Sequence, residues 1–416
     1  MLTRVEARHY RCLEQIQQPL SSFHVLVGPN ASGKTTFLDV VAFLGDLVAD
    51  GPEAAVRART QNFADLVWMR RDSPFELAVE LEIPEAVRTD GFTRIRYQLA
   101  VGQTPSGGEI GIQSETVLLK RDEPVAARTR EMFPESPPPL DSILEATGRP
   151  GTQSVATKNP KGNDNFYAEP RGPQGGKGWI PTFKLGPRRS ALANLPEDES
   201  KFPASTWLKS ILAEGVEQIV LDSLAMRRAS PPGQARAFKT DGSNLPWVVE
   251  SLQSSSPERF CDWIDHLRTA LPDLDTVRTI ERPDDRHRYL MLRYQGGLDV
   301  PSWTASDGTL RLLALTLLAY IQDLRGVYLI EEPENGIHPR AVETMYQSLS
   351  NVYGAQILMA THSPVVLSLV EPEQLICFAK TPSGSTDIVA GNEHPVLRDW
   401  RRETSLDSLF AAGVLG

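Results

Sequence analysis

Apolar and polar positions alternate moderately over residues 2–13, which predicts a first strand with Tyr10-Arg11 at its end. Phe23-His-Val-Leu-Val27 is a short apolar, β-branched run, the pattern of a buried parallel strand. Phe37, Leu38, Val41, Leu44 and Leu47 then recur at helical spacing, and Asp50-Gly51-Pro52 stops that helix. Period-two alternation predicts strands over 75–83 and 93–101, with 114–120 extending the same sheet. Beyond Phe202 the pattern predicts helices over 207–212, 245–252, 257–271 and 310–321. Strands are predicted over 216–221, 276–281 and 288–294. Two further apolar strands begin at Gly326 and Gln356. Internal repeats and long heptad runs are absent from this pattern.

Between about Glu131 and Pro196 the periodicity lapses. Pro134, Pro137, Pro138 and Pro139 lead into a Gly/Asn/Lys-rich stretch, which reads as an inserted lid or as partly unordered chain. It carries Lys158, Lys161, Arg171, Lys177, Lys184, Arg188 and Arg189, with Trp179 and Phe183 among them. Basic residues interleaved with aromatics suit nucleic acid, and equally a solvated loop anchored by its aromatics.

Composition narrows the class. A chain of 416 residues holds one large or two ordinary domains, and its net charge of −10 advertises no global affinity for nucleic acid. Cys12, Cys261 and Cys377 lie far apart, with no metal-binding spacing, as in a reducing compartment. Neither a signal region nor an apolar run of roughly 20 residues is present, so a cytoplasmic protein without membrane contact is expected.

The stretch between the second strand and first helix carries chemistry. It reads Gly28-x-x-x-x-Gly33-Lys34-Thr35, the phosphate-binding loop pattern, and it has a strand before it and a helix after it. Glycines let the backbone turn and approach a phosphate, while N–H groups and the helix dipole favour an anion. The expected contacts run through Asn30, Ala31, Ser32, Gly33, Lys34, Thr35 and Thr36. Lys34 reaches the β/γ-phosphates of ATP and the Thr35 hydroxyl ligates Mg²⁺.

Three motifs follow in the last third. The strand from Gly326 ends in Glu331-Glu332-Pro-Glu334, at the strand end where a doubly wound sheet presents catalytic groups. Glu331 can bind Mg²⁺ directly or through water, and Glu332 can accept a proton from an attacking water. The strand from Gln356 ends in Thr361-His362-Ser363, which places a histidine at another strand end. Ser306-Asp307-Gly308-Thr309-Leu310 opens an apolar helix, either as a simple cap or as a second anion site.

In chain order, the phosphate loop, S-D-G-T-L-R from Ser306, I-E-E-P-E-N-G-I-H-P from Ile330 and A-T-H-S-P from Ala360 resemble the motifs of ABC-type ATPases of the RecF/SMC/OLD group. The resemblance covers roughly residues 1–45 and 300–380, and touches the middle only at Asp241-Gly-Ser-Asn-Leu245. It implies an α/β fold, an ABC-type P-loop NTPase with a mixed or parallel central sheet, a β-rich lobe and an inserted α/loop region. On this basis 1–130 forms the N-terminal ATPase lobe, 131–200 the Pro/Gly-rich insertion and 201–300 a helix-and-strand middle. Residues 301–416 form the C-terminal lobe. Ser306 and Gly308 match the signature motif that meets the γ-phosphate held by the opposite protomer. Glu332 matches the catalytic glutamate, His362 the switch histidine, 335–338 the D-loop, and Tyr10-Arg11 the aromatic–basic pair near the nucleotide. Two features depart from the group: Glu331 stands where Asp is usual, and the Q-loop glutamine is not placed, Gln61 being only a candidate.

The implied activity is a molecular switch that binds and hydrolyses ATP and forms a homodimer around it. OLD-like proteins carry a nuclease domain after the ATPase, whereas this chain ends at Gly416 without an acidic metal cluster in its tail. A separate effector chain, a nuclease, is therefore the expected partner, in anti-phage defence or DNA maintenance, with DNA as an alternative ligand. A DNA-repair ATPase acting directly on DNA ends stays open. A membrane-transporter ATPase is the competing class, disfavoured by the missing L-S-G-G-Q signature and the long stretch between Thr35 and Ser306. A P-loop kinase is disfavoured by the S-D-G-T-L-R and T-H-S-P elements.

Overall fold

The computed structural model describes residues 1–104, 108–122, 130–136, 140–158, 162–170, 182–397 and 405–415. In chain order it begins β1 (Leu2–Tyr10), β2 (Leu13–Pro19), β3 (Phe23–Val27), α1 (Lys34–Asp50) and α2 (Pro52–Arg57). There follow β4 (Phe75–Glu82), β5 (Arg94–Gln103), β6 (Ile110–Lys120), β7 (Thr152–Lys158), β8 (Asn165–Phe166), α3 (Pro203–Glu214) and β9 (Val216–Ile219). The middle holds α4 (Ser223–Arg227), α5 (Leu245–Ser255), α6 (Pro257–Ala270), β10 (Leu274–Glu281), β11 (Arg288–Tyr294) and β12 (Asp299–Pro301). The last part holds α7 (Asp307–Leu317), β13 (Gly326–Glu331), α8 (Pro339–Ser350) and β14 (Ala355–Ala360). The chain closes with α9 (Pro364–Leu369), β15 (Leu375–Lys380), β16 (Thr386–Ala390) and α10 (Leu406–Ala411).

Two compact units divide these elements. The first comprises Met1–Val216, Pro372–Glu403 and Gly413–Gly416; the second comprises Glu217–Glu371 and Thr404–Ala412.

An antiparallel sheet in the order β2-β1-β4-β5-β6-β7-β8 dominates the first unit. Its inner face follows from strict alternation: Phe75, Leu77, Val79 and Leu81 on β4, with Ile95, Tyr97, Leu99 and Val101 on β5, are buried. Tyr10, Phe43 and Phe75 pack at ring separations of 5.0–5.7 Å, joining this sheet to α1. The same alternation puts charge on the other face. There the Arg96 guanidinium donates to Glu6 (2.6 Å), Glu80 (3.1 Å) and the Ile143 carbonyl (2.9 Å), and Lys120 reaches Glu80 and Glu145 at 2.7 Å. Residues 142–145 run over these groups, with Ser142 and the Ile143 N–H donating to Glu76.

The stretch expected to be an unpatterned insertion therefore adds β7 and β8 to the sheet, and residues 190–192 are pinned to it. Glu115, fully buried, accepts from the Tyr97 and Ser190 hydroxyls at 2.9 and 2.6 Å. It also accepts from the Ala191 and Leu192 N–H groups at 2.6 and 3.1 Å. Because one carboxylate satisfies four enclosed donors, Glu115→Ala is expected to destabilise the fold by about 3–5 kcal/mol. Urea unfolding followed by circular dichroism measures this, and a change below about 1 kcal/mol refutes it.

In the second unit β13 runs parallel to β14, and Gly326 to Glu331 stand in register with Ala355 to Ala360. Both strands are almost wholly apolar, as strands covered on two faces must be. Helices α7 and α9 each pack against α8. The Trp263 indole of α6 donates to Thr316 of α7 at 2.9 Å. A separate antiparallel sheet, β10-β11-β12, buries Val277, Leu290 and Leu292 against α5 and α6. Among the described residues no helix is long and apolar enough to cross a membrane.

Candidate functional site

The phosphate loop belongs to the first unit. All five residues of β3 are buried, and β3 pairs in parallel with β15, so the loop leaves the end of a fixed strand. Its backbone conformation needs its sequence. Gly28 has φ 148°, and a Cβ there would collide with the Phe378 carbonyl oxygen; Gly33 has φ 109°, and a Cβ there would strike Thr386. Ala31 also has positive φ, 60°, so the loop alternates backbone hands as an anion-holding turn does. At the start of α1, Gly33 supplies no side-chain cap and the first turn carries no acidic residue. Its leading N–H groups are thus not covered by a capping side chain.

Within the loop the Lys34 ammonium donates to the carbonyls of Gly28 (2.7 Å) and Pro29 (3.0 Å), and Lys34 is 8% exposed. The Ser32 hydroxyl is enclosed and has no hydrogen-bond partner among the described residues, while its carbonyl accepts from Thr386 at 2.8 Å. Asn30, Ala31 and Thr35 are exposed. The Thr36 hydroxyl, among the expected nucleotide contacts, accepts from the Cys12 thiol at 3.4 Å. Two glycines in hand-restricted positions, an enclosed cation, an orphaned hydroxyl and an uncapped helix start together fit a triphosphate.

Arg11 is brought to this loop's helix. It turns at φ 48°, and its guanidinium lies 3.3 Å from Asp39, one turn beyond Thr35 on α1. Asp39 also accepts from the Tyr10 phenol at 2.6 Å and from Arg59 at 2.6 Å. Burial, then the neighbouring Asp39 charge, pushes the Tyr10 phenol well above its ordinary pKa, so it stays a donor. Asp39 and Arg59 were not legible as site residues, because neither falls in a motif. Gln61 lies exposed before a short turn of 3₁₀ helix at Phe63–Leu66.

The other motifs converge in the second unit. Glu331 closes β13, and the Gln218 amide on β9 stands 3.5 Å from its carboxylate. Gln218 is a neighbour that strand patterning alone did not single out. Glu332 continues the pairing by one bond, its N–H donating to the Ala360 carbonyl at 2.8 Å, and then turns sharply at φ 46°. That turn leaves its carboxylate exposed, with Asn335 donating to it at 2.5 Å. His362 lies just past β14. Its backbone N–H donates to Glu334 at 3.1 Å and its ring centroid is 6.3 Å from that of Phe410. Ser306 caps α7 by accepting from the Thr309 N–H at 3.1 Å, and Asp307 pairs with Arg227 at 2.8 Å. A Cβ at Gly308 would strike the Gly336 carbonyl, so the start of α7 seats directly on the 335–338 turn. Among the described residues no group of three or more His, Cys, Asp or Glu side chains could hold a metal by itself. Mg²⁺ at such a site would depend on one or two protein ligands together with phosphate oxygens.

Fold and motifs define an ABC-type ATPase of the RecF/SMC/OLD group. Solved structures share this fold, two SMC heads among them. An SMC head bound to the C-terminal winged-helix domain of ScpA aligns with 93% of this chain and 96% of its own, at a TM-score of 0.52 and 13% identity. An SMC head with an extended coiled coil, bound to a ScpA domain derived from Pyrococcus furiosus, aligns with 99% and 98% at 0.51 and 13%. The chain belongs to the family described as AAA domain, putative AbiEii toxin, Type IV TA system, whose model matches residues 23–368. Curated relatives match over shorter stretches. The OLD nuclease of Thermus scotoductus is 46% identical over 48 residues, 11% of this chain and 9% of the relative. The Retron Vc95 probable ATPase of Vibrio cholerae is 28% identical over 122 residues, 26% and 23% of the two chains. The replication and repair protein RecF of Proteus mirabilis is 48% identical over 46 residues, 11% and 13%. Each match thus spans less than a quarter of the relative's length.

Proposed function

We propose that the chain binds Mg²⁺–ATP at the Gly28–Thr36 loop, hydrolyses it, and uses the bound nucleotide to hold two protomers together. The single observation carrying this reading is the loop itself, an enclosed Lys34 ammonium inside a glycine-hinged turn at an uncapped helix start. The family model takes in the loop, the acidic strand end and His362 as one stretch, which supports their serving the same nucleotide. Thr35 and Glu331 would hold Mg²⁺, which would polarise the γ-phosphate oxygens; Gln218 would orient water beside Glu331. Glu332 would take the proton from the attacking water, and His362 would face the γ-phosphate. Ser306 and the N–H groups that open α7 would complete the site of the partner protomer, so that ATP joins the dimer and hydrolysis releases it. Light scattering with and without Mg²⁺–ATP tests this: a doubled mass with ATP is expected, and a monomer under saturating ATP overturns the dimer.

The regulated output is a separate effector chain, a nuclease, in anti-phage defence or DNA maintenance, in a protein of the cytoplasm. The names of two relatives, a nuclease and a DNA replication and repair protein, support a nuclease partner or a DNA-maintenance setting. The basic stretch within 131–200 is the proposed contact for DNA or that partner. Lys184 and Arg189 are exposed there, Arg188 is paired with Glu109, and Lys177 lies outside the described residues. Replacing Lys177, Lys184, Arg188 and Arg189 with Ala is expected to leave ATP turnover within about twofold while weakening DNA or partner binding at least tenfold at low salt. Loss of turnover with binding kept would assign the stretch to the nucleotide site.

A further inference from the structure

Between the acidic strand end and the histidine strand end stands a third carboxylate with no assigned part in the reaction. Glu334 accepts twice on one oxygen: Oε1 receives the Thr361 hydroxyl at 2.6 Å and the His362 backbone N–H at 3.1 Å. Its other oxygen, Oε2, is enclosed and has no hydrogen-bond partner among the described residues. Leaving a carboxylate oxygen enclosed and unmatched costs free energy, so the side chain is held by what Oε1 binds. Thr361 is fully buried and cannot drift, since its hydroxyl in turn accepts from the Ser363 N–H at 2.9 Å at the start of α9. At its other end Glu334 is part of a tight turn. The Asn335 N–H closes back on the Glu332 carbonyl at 3.0 Å, the Asn335 amide holds the Glu332 carboxylate, and Pro333 is buried. The Ile337 N–H then donates to the Glu334 carbonyl at 2.9 Å, just past Gly336, on which α7 seats. One side chain therefore links the backbone of His362 to the turn that aims Glu332.

We propose that Glu334 is a positioning residue that makes the His362 strand end and the Glu332 turn move as one body. A displacement of His362 toward a γ-phosphate is passed through Oε1 to the 332–335 turn, so the base is aimed only when the histidine is engaged. Glu334 itself takes no proton and touches no reacting atom. The inference rests on the reading of Glu332 and His362 as ATPase groups.

The test uses the full chain with Mg²⁺–ATP. Glu334→Ala is expected to keep ATP affinity within about threefold and to lower kcat by about 10- to 100-fold, as for a displaced catalytic group. Glu334→Gln keeps an acceptor oxygen at the same reach and is expected to recover most of that loss. Thr361→Val, which removes one donor at constant shape, is expected to lower kcat in the same way and not additively with Glu334→Ala; it serves as the test if Glu334→Ala fails to fold. In hydrogen exchange, ATP is expected to protect peptides 332–337 and 361–366 together in the parent chain, and only 361–366 in Glu334→Ala. Wild-type kcat in Glu334→Ala or Thr361→Val overturns the proposal, as does protection of both peptides in Glu334→Ala. A Glu334→Gln variant as slow as Glu334→Ala overturns it too, by showing that the charge acts directly. If instead Glu332→Gln turns over at the wild-type rate, the site reading fails, and the exchange comparison still decides whether Glu334 joins the two segments.

Discussion

Lys34→Ala is expected to abolish ATP binding, with Kd rising at least about 100-fold. The ammonium supplies charge-assisted hydrogen bonds to phosphate oxygens, each of about 1.5–3 kcal/mol, and two of these correspond to a factor of 100 or more. Its two carbonyl contacts place the ammonium inside the loop, where phosphate oxygens are expected to replace them. The substitution leaves the Gly28 and Pro29 carbonyls without the ammonium, a stability loss expected at about 1–3 kcal/mol. Calorimetric titration with ATP, beside an unfolding curve for the same variant, separates the two effects. Unchanged affinity in a folded variant would remove the basis of the nucleotide reading.

Glu332→Gln is expected to bind ATP normally and to lose turnover by about 10²- to 10⁴-fold, the range of a positioned general base. The side chain sits at the end of β13 in a turn fixed by its own N–H and by the Asn335 N–H. Glutamine keeps that backbone geometry and an oxygen for the Asn335 amide, so the shape survives and only proton acceptance is lost. With release blocked, the ATP-held dimer persists through size-exclusion chromatography with light scattering, whereas the parent chain returns to monomer as ATP is spent. Hydrolysis at the parent rate would place the base elsewhere.

Much of the frame for these expectations was legible in the chain. The strands over 75–83 and 93–101 match β4 and β5 closely, because one-sided burial imposes a period of two. The phosphate loop was legible because its glycines answer a local need, a positive φ in a turn between strand and helix. Residues 2–13 were read as one strand and form two, β1 and β2, since the turn at Arg11 uses neither Gly nor Pro and its φ of 48° leaves no mark in the sequence. Helix α7 begins at Asp307, earlier than its apolar run, because the Ser306 cap lies outside that run.

By itself the sequence determined the elements whose pattern is set by a single strand or helix, and the motifs whose chemistry is local to one turn. Only the tertiary structure decided what stands behind and beside them. Thr386 and Phe378, more than 340 residues along, press on the phosphate loop and make its glycines obligatory. Asp39 joins Arg11, Tyr10 and Arg59, and β7 and β8 pair with a sheet whose other strands lie far back in the chain. Glu334 is the sharpest case. In sequence it is one more acid after Pro333, and only the parallel pairing of β13 with β14 carries Thr361 and His362 to its oxygen. The physical reason is common to all of these: a hydrogen bond between distant residues depends on three-dimensional proximity, which the order of residues along the chain does not record.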